Sequence, residues 1–495
     1  MDGSFPISGG NMSALNLTLL TDLYELTMMQ GYFKSGNNQT VIFDAFYRDN
    51  PCGNGYAIAA GLEQIIEYIN ELHFSDEDIA YLRGLRIFDD DFLDYLADFK
   101  FTGDIYAIPE GSVIFPREPI IKVIAPIMQA QLIETALLNI MNHQSLIATK
   151  TARVVHAAQG DGVMEFGLRR AQGPDAGTYG ARAAMIGGCI GTSNVLAGQL
   201  FDVPVKGTHA HSWVMSFPDE YTAFKTYANL YPDAATLLVD TYDTLKSGVP
   251  NAIRVFKEMR EAGTPLKHYG IRLDSGDLAY LSKKARKMLD DAGFPDAVIS
   301  ASSDLDEHLI SSLKIQHAAI TSWGVGTNLI TSKDCPAFGG VYKLAAVEGT
   351  DGEFIPRIKI SENTDKITNP GNKTIFRIYD NDSGIIIADL IALVGETFDT
   401  TKDLTIFDPL ETWKKTRLVG GMYSMKELLV QVFDKGKCVY HSPSVMQIQE
   451  YCKQELDTLW DETKRLVNPH DVYVDLSDKL YALKHDLLSA SRNHK

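Results

Sequence analysis

The sequence predicts an α/β fold whose central part is a parallel sheet of the barrel type. After residue 160, short apolar runs such as "VMEFG", "TLLVD" and "YGIRLD" alternate with amphipathic helical stretches every few tens of residues. This spacing is typical of βα units. Nearly every run ends in Gly, Asp or Ser, and in a parallel barrel the functional groups collect at these strand ends. The polar residues that close the runs are therefore the first candidates for a functional site.

The regions on either side of this repeat have other patterns. In the first 120 residues, "TLLTDLYELTMMQGYFKSG" has helical spacing and "TVIFDAFYR" alternates like a strand. Beyond residue 345, "KTIFRIYDNDSGIIIADLIAL" indicates antiparallel strands, and the tail from "SVMQIQEYC" onward is predicted to be helical. A chain of 495 residues is long enough for more than one domain.

Composition excludes several classes of function. The chain has 46 Lys and Arg against 64 Asp and Glu, a net charge of −18, which disfavours non-specific binding to nucleic acid or to a membrane surface. The uncharged stretch 183–201 is too polar to span a membrane, and no signal-peptide pattern opens the chain. Five scattered cysteines without a CxxC pair indicate reduced thiols. These features predict a cytoplasmic protein.

Two glycine-containing stretches are candidates for anion binding, although GxxxxGK[ST] and a complete GxGxxG are absent. In "SWGVGTNL", Gly324 and Gly326 at a strand end would let backbone N–H groups converge on a phosphate. A plain tight turn explains them equally well. In "EFGLRRAQGPDAGTYGARAA", Arg169, Arg170 and Arg182 could bind carboxylates or phosphates through their planar guanidinium groups.

Two further strand ends carry charged side chains. In "IRLDSGDL", Arg272 is followed by Asp274, Ser275 and Asp277. The carboxylates could bind ribose hydroxyls or Mg²⁺, or they could simply cap the next helix. "LLVDTYD" places Asp240 and Asp243 at another strand end, and the sequence assigns them no particular role.

The stretch "VPVKGTHAHSWVMSF" contains two histidines, His209 and His211. A zinc site would need a third ligand from a distant segment, so a turn histidine bonded to backbone is the better general interpretation. His211 has one distinguishing feature, since it lies where a strand gives way to a helix. Free N–H groups and the positive end of the helix dipole favour an anion there, in particular a phosphate.

Taken together and in order, these motifs resemble the nicotinate phosphoribosyltransferase family. "LLTDLYELTM", "FDAFYR", "EFGLRRAQGPD", "GTHAHSWVMSF", "GIRLDSGDL", "WGVGTNLITS" and "KITNPGNKTIFR" all match, from about Asn16 onward. The resemblance implies that nicotinate and 5-phosphoribosyl 1-diphosphate give nicotinate mononucleotide and pyrophosphate. It also implies coupling to ATP hydrolysis, a requirement for Mg²⁺ and a place in NAD salvage.

The resemblance also implies an architecture and an assembly. The fold would be an incomplete α/β barrel beside an α/β sandwich, in a homodimer whose subunits share active sites. On this basis 12–127 would begin the sandwich domain and 128–345 would form the barrel. Residues 346–400 would return to the sandwich, and 401–495 would be a mostly helical C-terminal extension.

Residue roles follow from the matching positions. His211 would be phosphorylated by ATP, and Phe166 would stack on the pyridine ring against Tyr24 from the partner subunit. Arg169 would lie near the substrate carboxylate and phosphates. Arg272 and Asp274 would bind the diphosphate and ribose, and Asp274 would also be a Mg²⁺ ligand. Gly324, Gly326 and Thr327 would bind the 5′-phosphate. Thr208 and Ser212 would bind substrate.

Three alternatives stay open at this point. The chain could act on nicotinamide or quinolinate instead of nicotinate. It could be a barrel lyase of the aldolase kind with Lys206 as the Schiff-base lysine, or a catalytically inactive homologue that serves as a scaffold. The role of His209 is undecided.

Overall fold

The structure of the protein, a computed structural model, describes residues 16–363 and 366–492. The N-terminal leader expected before Met12 lies outside the described residues. The strands, β1 to β20 in chain order, are Thr40–Phe46, Ala57–Ile58, Asp104–Ala107, Val113–Ile114, Ile121–Pro126, Gly162–Glu165, Thr236–Leu238, Gly270–Leu273, Val298–Ala301, Ser322–Val325, Val341–Glu348, Phe354–Pro356, Lys373–Asp380, Ile386–Leu393, Leu404–Phe407, Lys415–Leu418, Tyr423–Glu427, Val430–Asp434, Lys437–Cys438 and Tyr473–Leu476. The helices, α1 to α16, are Leu23–Ser35, Leu62–Glu71, Asp76–Leu85, Asp90–Ala97, Ile127–Leu132, Glu134–Ala157, Pro174–Ile186, Val195–Phe201, His211–Met215, Glu220–Leu230, Val249–Glu261, Leu278–Asp291, Glu307–Ile315, Thr327–Ile330, Val445–Asp457 and Asp478–Arg492.

The predicted βα repeat forms a five-stranded parallel sheet. Its strand order is β6-β10-β9-β8-β7, and every neighbouring pair is parallel. Helices α11, α12 and α13 connect β7 through β10 in sequence, as parallel pairing requires. Bridges from Glu165 to Thr192 and from Thr192 to Val205 continue the sheet beyond β6. The run "VPVKG" therefore makes only a bridge, because Pro204 has no N–H to donate to a ladder.

An antiparallel sheet of seven strands forms a second body of the fold. Its order is β12-β11-β1-β5-β3-β18-β19, so it combines strands from the beginning, middle and end of the chain. A four-stranded sheet, β17-β13-β14-β20, lies in the C-terminal part. The mixed α/β class is confirmed, whereas the incomplete barrel, the sandwich and the domain boundaries stay predictions.

The expectation of a mostly helical region over 401–495 is wrong. Its described part contains six strands, β15 to β20, besides the two helices α15 and α16. The stretch "YSMKELLVQVFD" supplies β17 and β18, which pair with β13 and β3. These partners lie far away in sequence, and the added strands bury Tyr423, Val432 and Phe433.

Two large apolar cores stabilise these sheets. One surrounds the parallel sheet and includes the fully buried Trp323, Ile271 and Val325. The other lies under the seven-stranded sheet and includes Val41 and Phe92. Each such side chain contributes on the order of 1.5–3 kcal/mol by leaving water. The described helices include none with both the length and the apolar character of a membrane span.

A buried ionic cluster connects the C-terminal sheet to the rest of the chain. The Arg377 side chain on β13 is completely buried and bonds the Asp389 carboxylate at 2.7 Å, the Glu455 carboxylate at 2.9 Å and the Val113 carbonyl at 2.9 Å. Glu118 completes the cluster, and burial together with the nearby Asp389 raises its pKa well above the usual range. One guanidinium therefore faces three carboxyl groups, of which Glu118 is the one whose surroundings favour the protonated form.

Candidate active site

A cavity of about 470 Å³ lies at the carboxyl ends of the parallel strands. Ligands in α/β proteins are commonly bound at this edge. The cavity collects most of the side chains that the sequence singled out, and six separate segments line it. Its lining comprises Phe166, Arg169, Arg170, Ser193, Gly207, Thr208, His209, Ala210, His211, Arg272, Asp274, Ser302, Ser303, Asp304, Gly324, Gly326 and Thr327.

His211 begins α9 and contacts a fixed carboxylate. Its Nε2 lies 3.1 Å from Asp240 Oδ1, and the Asp240 side chain is only 1% exposed. The other Asp240 oxygen accepts bonds from the Asp274 backbone N–H at 2.9 Å and from the Ser275 hydroxyl at 2.6 Å. Because a carboxylate only accepts, Nε2–H is the donor in this bond, and in a neutral ring the lone pair then lies on Nδ1. The imidazole is thus oriented through Nε2, with Nδ1 as the other nitrogen of the ring.

The sequence did not assign Asp240, and it is the main residue of the site that sequence reasoning missed. The one available signal was its position after β7, where it closes an apolar run as other polar residues close the other runs of the βα repeat. Its contact with His211 spans 29 positions and depends on how two loops meet.

His209 has a structural role that differs from that of His211. Its Nε2 accepts the Leu238 backbone N–H at 3.2 Å, and its ring packs edge-on against Tyr227 with centroids 4.8 Å apart. Burial lowers the His209 pKa to about 4, so the ring is neutral at physiological pH. Since the Nε2 atoms of both histidines already have partners, the structure gives no support to metal binding by the pair.

Arg272 extends from β8 into the cavity with an incomplete set of partners. Its Nη1 donates to the Thr208 hydroxyl, whereas its buried Nε has no hydrogen-bond partner among the described residues. Burial lowers the Arg272 pKa, and nearby Arg169 lowers it further, against the opposing effect of Asp274 and Asp240. An unsatisfied, partly desolvated guanidinium beside a second arginine favours an anionic ligand.

Asp274 and its neighbours form the acidic side of the cavity. The Asp274 carboxylate accepts a hydrogen bond from the Ser302 hydroxyl, and Asp304 lies on the same lining. A few carboxylates next to a place for phosphate oxygens are the kind of donor set that Mg²⁺ takes up. The residues present therefore fit this ion.

The glycine turn after β10 leaves room for an aromatic ring and an anion. A Cβ on Gly324 would lie 2.6 Å from the Phe166 ring, and a Cβ on Gly326 would lie 3.2 Å from the Phe166 carbonyl oxygen. Thr327 then begins α14, where the first N–H groups of a helix have no partner within it. The glycines are thus explained by close approach of Phe166, which a plain tight turn would not require.

Several candidates lie elsewhere. Arg182 is 1% exposed and bonds Glu63 at 2.5 Å and Glu110 at 2.7 Å, so its expected ligand-binding role is wrong. Ser212 is exposed and is absent from the cavity lining, and so is Lys206, which weakens the aldolase alternative. Asp277 caps α12 through the Tyr280 N–H at 2.9 Å, as the capping alternative predicted.

Tyr24 lies on α1, outside the lining of this chain's own cavity. Its side chain is 46% exposed, beside the exposed Leu20, Leu23 and Met28. A role for Tyr24 in the cavity therefore requires a second copy of the chain.

A parallel α/β fold with two arginines, a glycine turn and an oriented histidine at its carboxyl edge is typical of enzymes that bind phosphorylated small molecules. The chain belongs to the nicotinate phosphoribosyltransferase family. Family models match residues 19–142 (the N-terminal domain), 162–352 (the family as a whole) and 372–484 (the C-terminal domain). The resemblance predicted from the motifs is confirmed.

Individual relatives agree over nearly the full length. A protein named nicotinate phosphoribosyltransferase from Bacillus subtilis (strain 168) is 50% identical over 470 residues, which is 95% of this chain and 94% of the relative. One of the same name from Homo sapiens is 32% identical over 528 residues, 95% and 96% of the two chains. The crystal structure of human nicotinic acid phosphoribosyltransferase superposes with a TM-score of 0.82 at 30% identity, covering 95% of this chain and all of that one.

Proposed function

We propose that this chain is a nicotinate phosphoribosyltransferase that joins nicotinate to 5-phosphoribosyl 1-diphosphate and releases pyrophosphate. The observation that carries the proposal is the cavity in which Arg272, with its unpartnered buried Nε, meets Arg169 and the Gly324–Thr327 turn. The names of relatives at 50% and 32% identity support the same activity.

The cavity offers a separate place for each part of the substrates. The 5′-phosphate would bind backbone N–H groups at Gly326 and Thr327, and the diphosphate would bind Arg272. Nicotinate would stack on Phe166 with its carboxylate toward Arg169. The pyridine nitrogen then attacks the sugar C1, so that a C–N bond forms while the C–O bond to pyrophosphate breaks.

Mg²⁺ is the metal that we expect to take part. Asp274, oriented by the Ser302 hydroxyl, would hold it together with substrate oxygens. Bound there, the ion would neutralise charge on the diphosphate.

His211 is the proposed acceptor of the ATP γ-phosphoryl group. Its Nδ1 forms the P–N bond as ADP leaves, and Asp240 stabilises the ring through Nε2–H. Water later cleaves the P–N bond and releases phosphate. Phosphorylation would favour a state that binds the diphosphate substrate tightly, and hydrolysis would favour product release.

A homodimer with shared sites is the proposed assembly. The α1 surface around Tyr24 is apolar and exposed. Exposed apolar residues also occur close in sequence to the lining residues Arg169 and Ser193, and these are Leu168, Val195, Leu196 and Leu200. Two such patches on one chain suit burial against each other in a two-fold dimer, which would bring Tyr24 opposite the partner's Phe166.

The family membership supports three further proposals. These are an incomplete α/β barrel beside an α/β sandwich, a place in NAD salvage, and a cytoplasmic location.

A panel of three pyridines tests the activity. The purified chain is given 5-phosphoribosyl 1-diphosphate, Mg²⁺ and ATP with nicotinate, nicotinamide or quinolinate, and nucleotide products are quantified by chromatography. Nicotinate mononucleotide should be the dominant product. Equal or faster turnover of nicotinamide or quinolinate would overturn the assignment.

A further inference from the structure

Two cysteines from distant parts of the sequence are in contact. The Cys52 backbone N–H donates to Cys335 Sγ at 3.1 Å, across 283 positions, and both residues are half-buried free thiols. This contact and the covalent bonds on either side of it allow a Cα–Cα separation of up to about 7.5 Å, slightly above the usual range for disulfides. A disulfide between them therefore needs only a small shift of either segment.

The two segments are anchored to one buried ionic cluster. Asp334, next to Cys335, accepts a bond from Lys150 at 2.7 Å, and Asn54, two residues after Cys52, accepts one from Arg153 at 3.2 Å. Both cations pair with Glu307, at 2.7 Å and 2.8 Å. The cysteines are thus held next to each other by these ion pairs and hydrogen bonds, in addition to the bond from the Cys52 N–H to Cys335 Sγ.

A short stretch of chain connects Cys335 to the cavity. The Cys335 N–H donates to the Ser332 carbonyl at 2.9 Å, and the Lys333 N–H donates to the Asn328 carbonyl at 3.3 Å. Asn328 belongs to α14, the helix that begins at Thr327 and follows the glycine turn. Cys335 is therefore connected by two backbone hydrogen bonds to α14, which follows the proposed phosphate-binding turn.

We propose that Cys52 and Cys335 form an oxidisable dithiol whose disulfide displaces the turn at Gly326 and Thr327 and weakens phosphate binding in the cavity. The oxidant is a small-molecule disulfide. The Cys335 thiolate attacks one of its sulfurs and releases one small thiolate. The Cys52 thiolate then attacks Cys335 Sγ, forms the protein disulfide and releases the second small thiol. Two electrons pass from the protein to the small disulfide, and two protons leave the cysteines.

The order of attack follows from the surroundings of the two thiols. Burial raises the pKa of Cys52 to about 12, so its thiolate is scarce and it acts second. The pair then stays reduced under ordinary conditions and closes only under sustained oxidation.

A metal site is the competing use of this region. The carboxylate and imidazole atoms of Glu307, His308 and Asp334 lie within 4.8 Å of one another. However, the Lys150 ammonium already lies 2.7 Å from both carboxylates. A divalent cation would have to displace a buried lysine, which favours the dithiol interpretation.

The test uses the whole protein incubated with oxidised glutathione and then digested without reduction. We expect the peptides containing Cys52 and Cys335 to be linked, and the intact mass to fall by two hydrogens. Cys52→Ser should accumulate a glutathione adduct on Cys335 instead. Cys438→Ser is the matched control, because Cys438 is also half-buried but its thiol contacts only the Tyr440 carbonyl at 3.4 Å; it should behave like the wild type.

The second readout is the KM for 5-phosphoribosyl 1-diphosphate, which rests on the proposed function. It should rise about threefold or more on oxidation, return on reduction, and stay constant in Cys335→Ser, since small displacements of a binding group are costly. A different cysteine pairing, no pairing, or an unchanged KM in the linked protein would overturn the proposal. A reduced protein without any transferase activity would instead count against the proposed function, because the mass readout does not depend on activity.

Discussion

Arg272 and Arg377 are both partly or wholly buried, but they differ in how many of their guanidinium nitrogens have a hydrogen-bond acceptor in the described chain. Arg377 has protein acceptors for all three guanidinium nitrogens. Arg272 has the Thr208 hydroxyl on Nη1, and its Nε has no partner among the described residues. Buried polar groups are normally paired. A saturated arginine therefore stabilises the fold, whereas an unsaturated one at a cavity is available for a ligand.

The first prediction concerns the reactive end of the cavity and carries the largest effect. His211→Ala removes the proposed phosphoryl acceptor, so nicotinate-dependent ADP release should be lost while slow, uncoupled nucleotide formation persists. Asp240→Asn keeps the imidazole but weakens its orientation, and should lower coupled turnover by about 10²-fold or more. Normal nicotinate-dependent ADP release by the alanine variant would contradict the role given to His211.

The second prediction tests the saturated arginine. Arg377→Met leaves Asp389, Glu455 and Glu118 without their shared cation. We expect the free energy of unfolding to fall by about 3–5 kcal/mol, the usual consequence of breaking a buried ion pair. Urea unfolding followed by circular dichroism measures this change. A loss below about 1 kcal/mol would show that the cluster contributes little to stability.

The third prediction applies the same substitution to the unsaturated arginine. Arg272→Met should lower kcat/KM by about 10²–10³-fold, because it removes a group that binds developing negative charge. Its free energy of unfolding should stay equal or rise slightly, since an incompletely paired cation has been replaced by an apolar side chain. Destabilisation as large as that of Arg377→Met would remove the distinction between the two arginines.

The fourth prediction concerns pH and has the smallest expected effect. The pKa of Glu118 is raised in the folded protein, so its contribution to stability is complete below the unfolded pKa and is lost as pH rises through the folded one. Glu118→Gln mimics the protonated acid. It should match the wild type near pH 5 and exceed it by about 1 kcal/mol or more near pH 9, since a tenfold change in proton affinity on folding corresponds to about 1.4 kcal/mol. A constant difference across this range would contradict the protonated state of Glu118.

The sequence predicted most of the cavity because its residues close apolar runs. Arg272 and Gly324 lie in the last residues of parallel strands, Asp274 and Gly326 directly follow the same strands, and such strands end at one edge of a sheet. At these positions the local sequence pattern was therefore enough to predict that residues far apart in the chain lie close together. His211 was found in the same way, from its position at the head of a helix.

The errors involve residues whose role depends on distant partners. Arg182 lies in the same arginine-containing stretch of sequence as Arg169, but it is inside α7 and forms hydrogen bonds to Glu63 and Glu110 from distant segments. Asp240 needed the contact with His211 to be recognised. The strands of the C-terminal region could be recognised only from their pairing with strands that come much earlier in the chain. No local sequence pattern predicts these contacts between distant residues.

The most direct test of the central claim is to titrate 5-phosphoribosyl 1-diphosphate into Arg272→Met and Arg377→Met by calorimetry, with the wild type alongside. If the unsatisfied arginine is a ligand group, the Arg272 variant should bind at least about tenfold more weakly, a change of about 1.4 kcal/mol. The Arg377 variant, measured under conditions where it is folded, should bind like the wild type. Unchanged binding by the Arg272 variant would contradict the account.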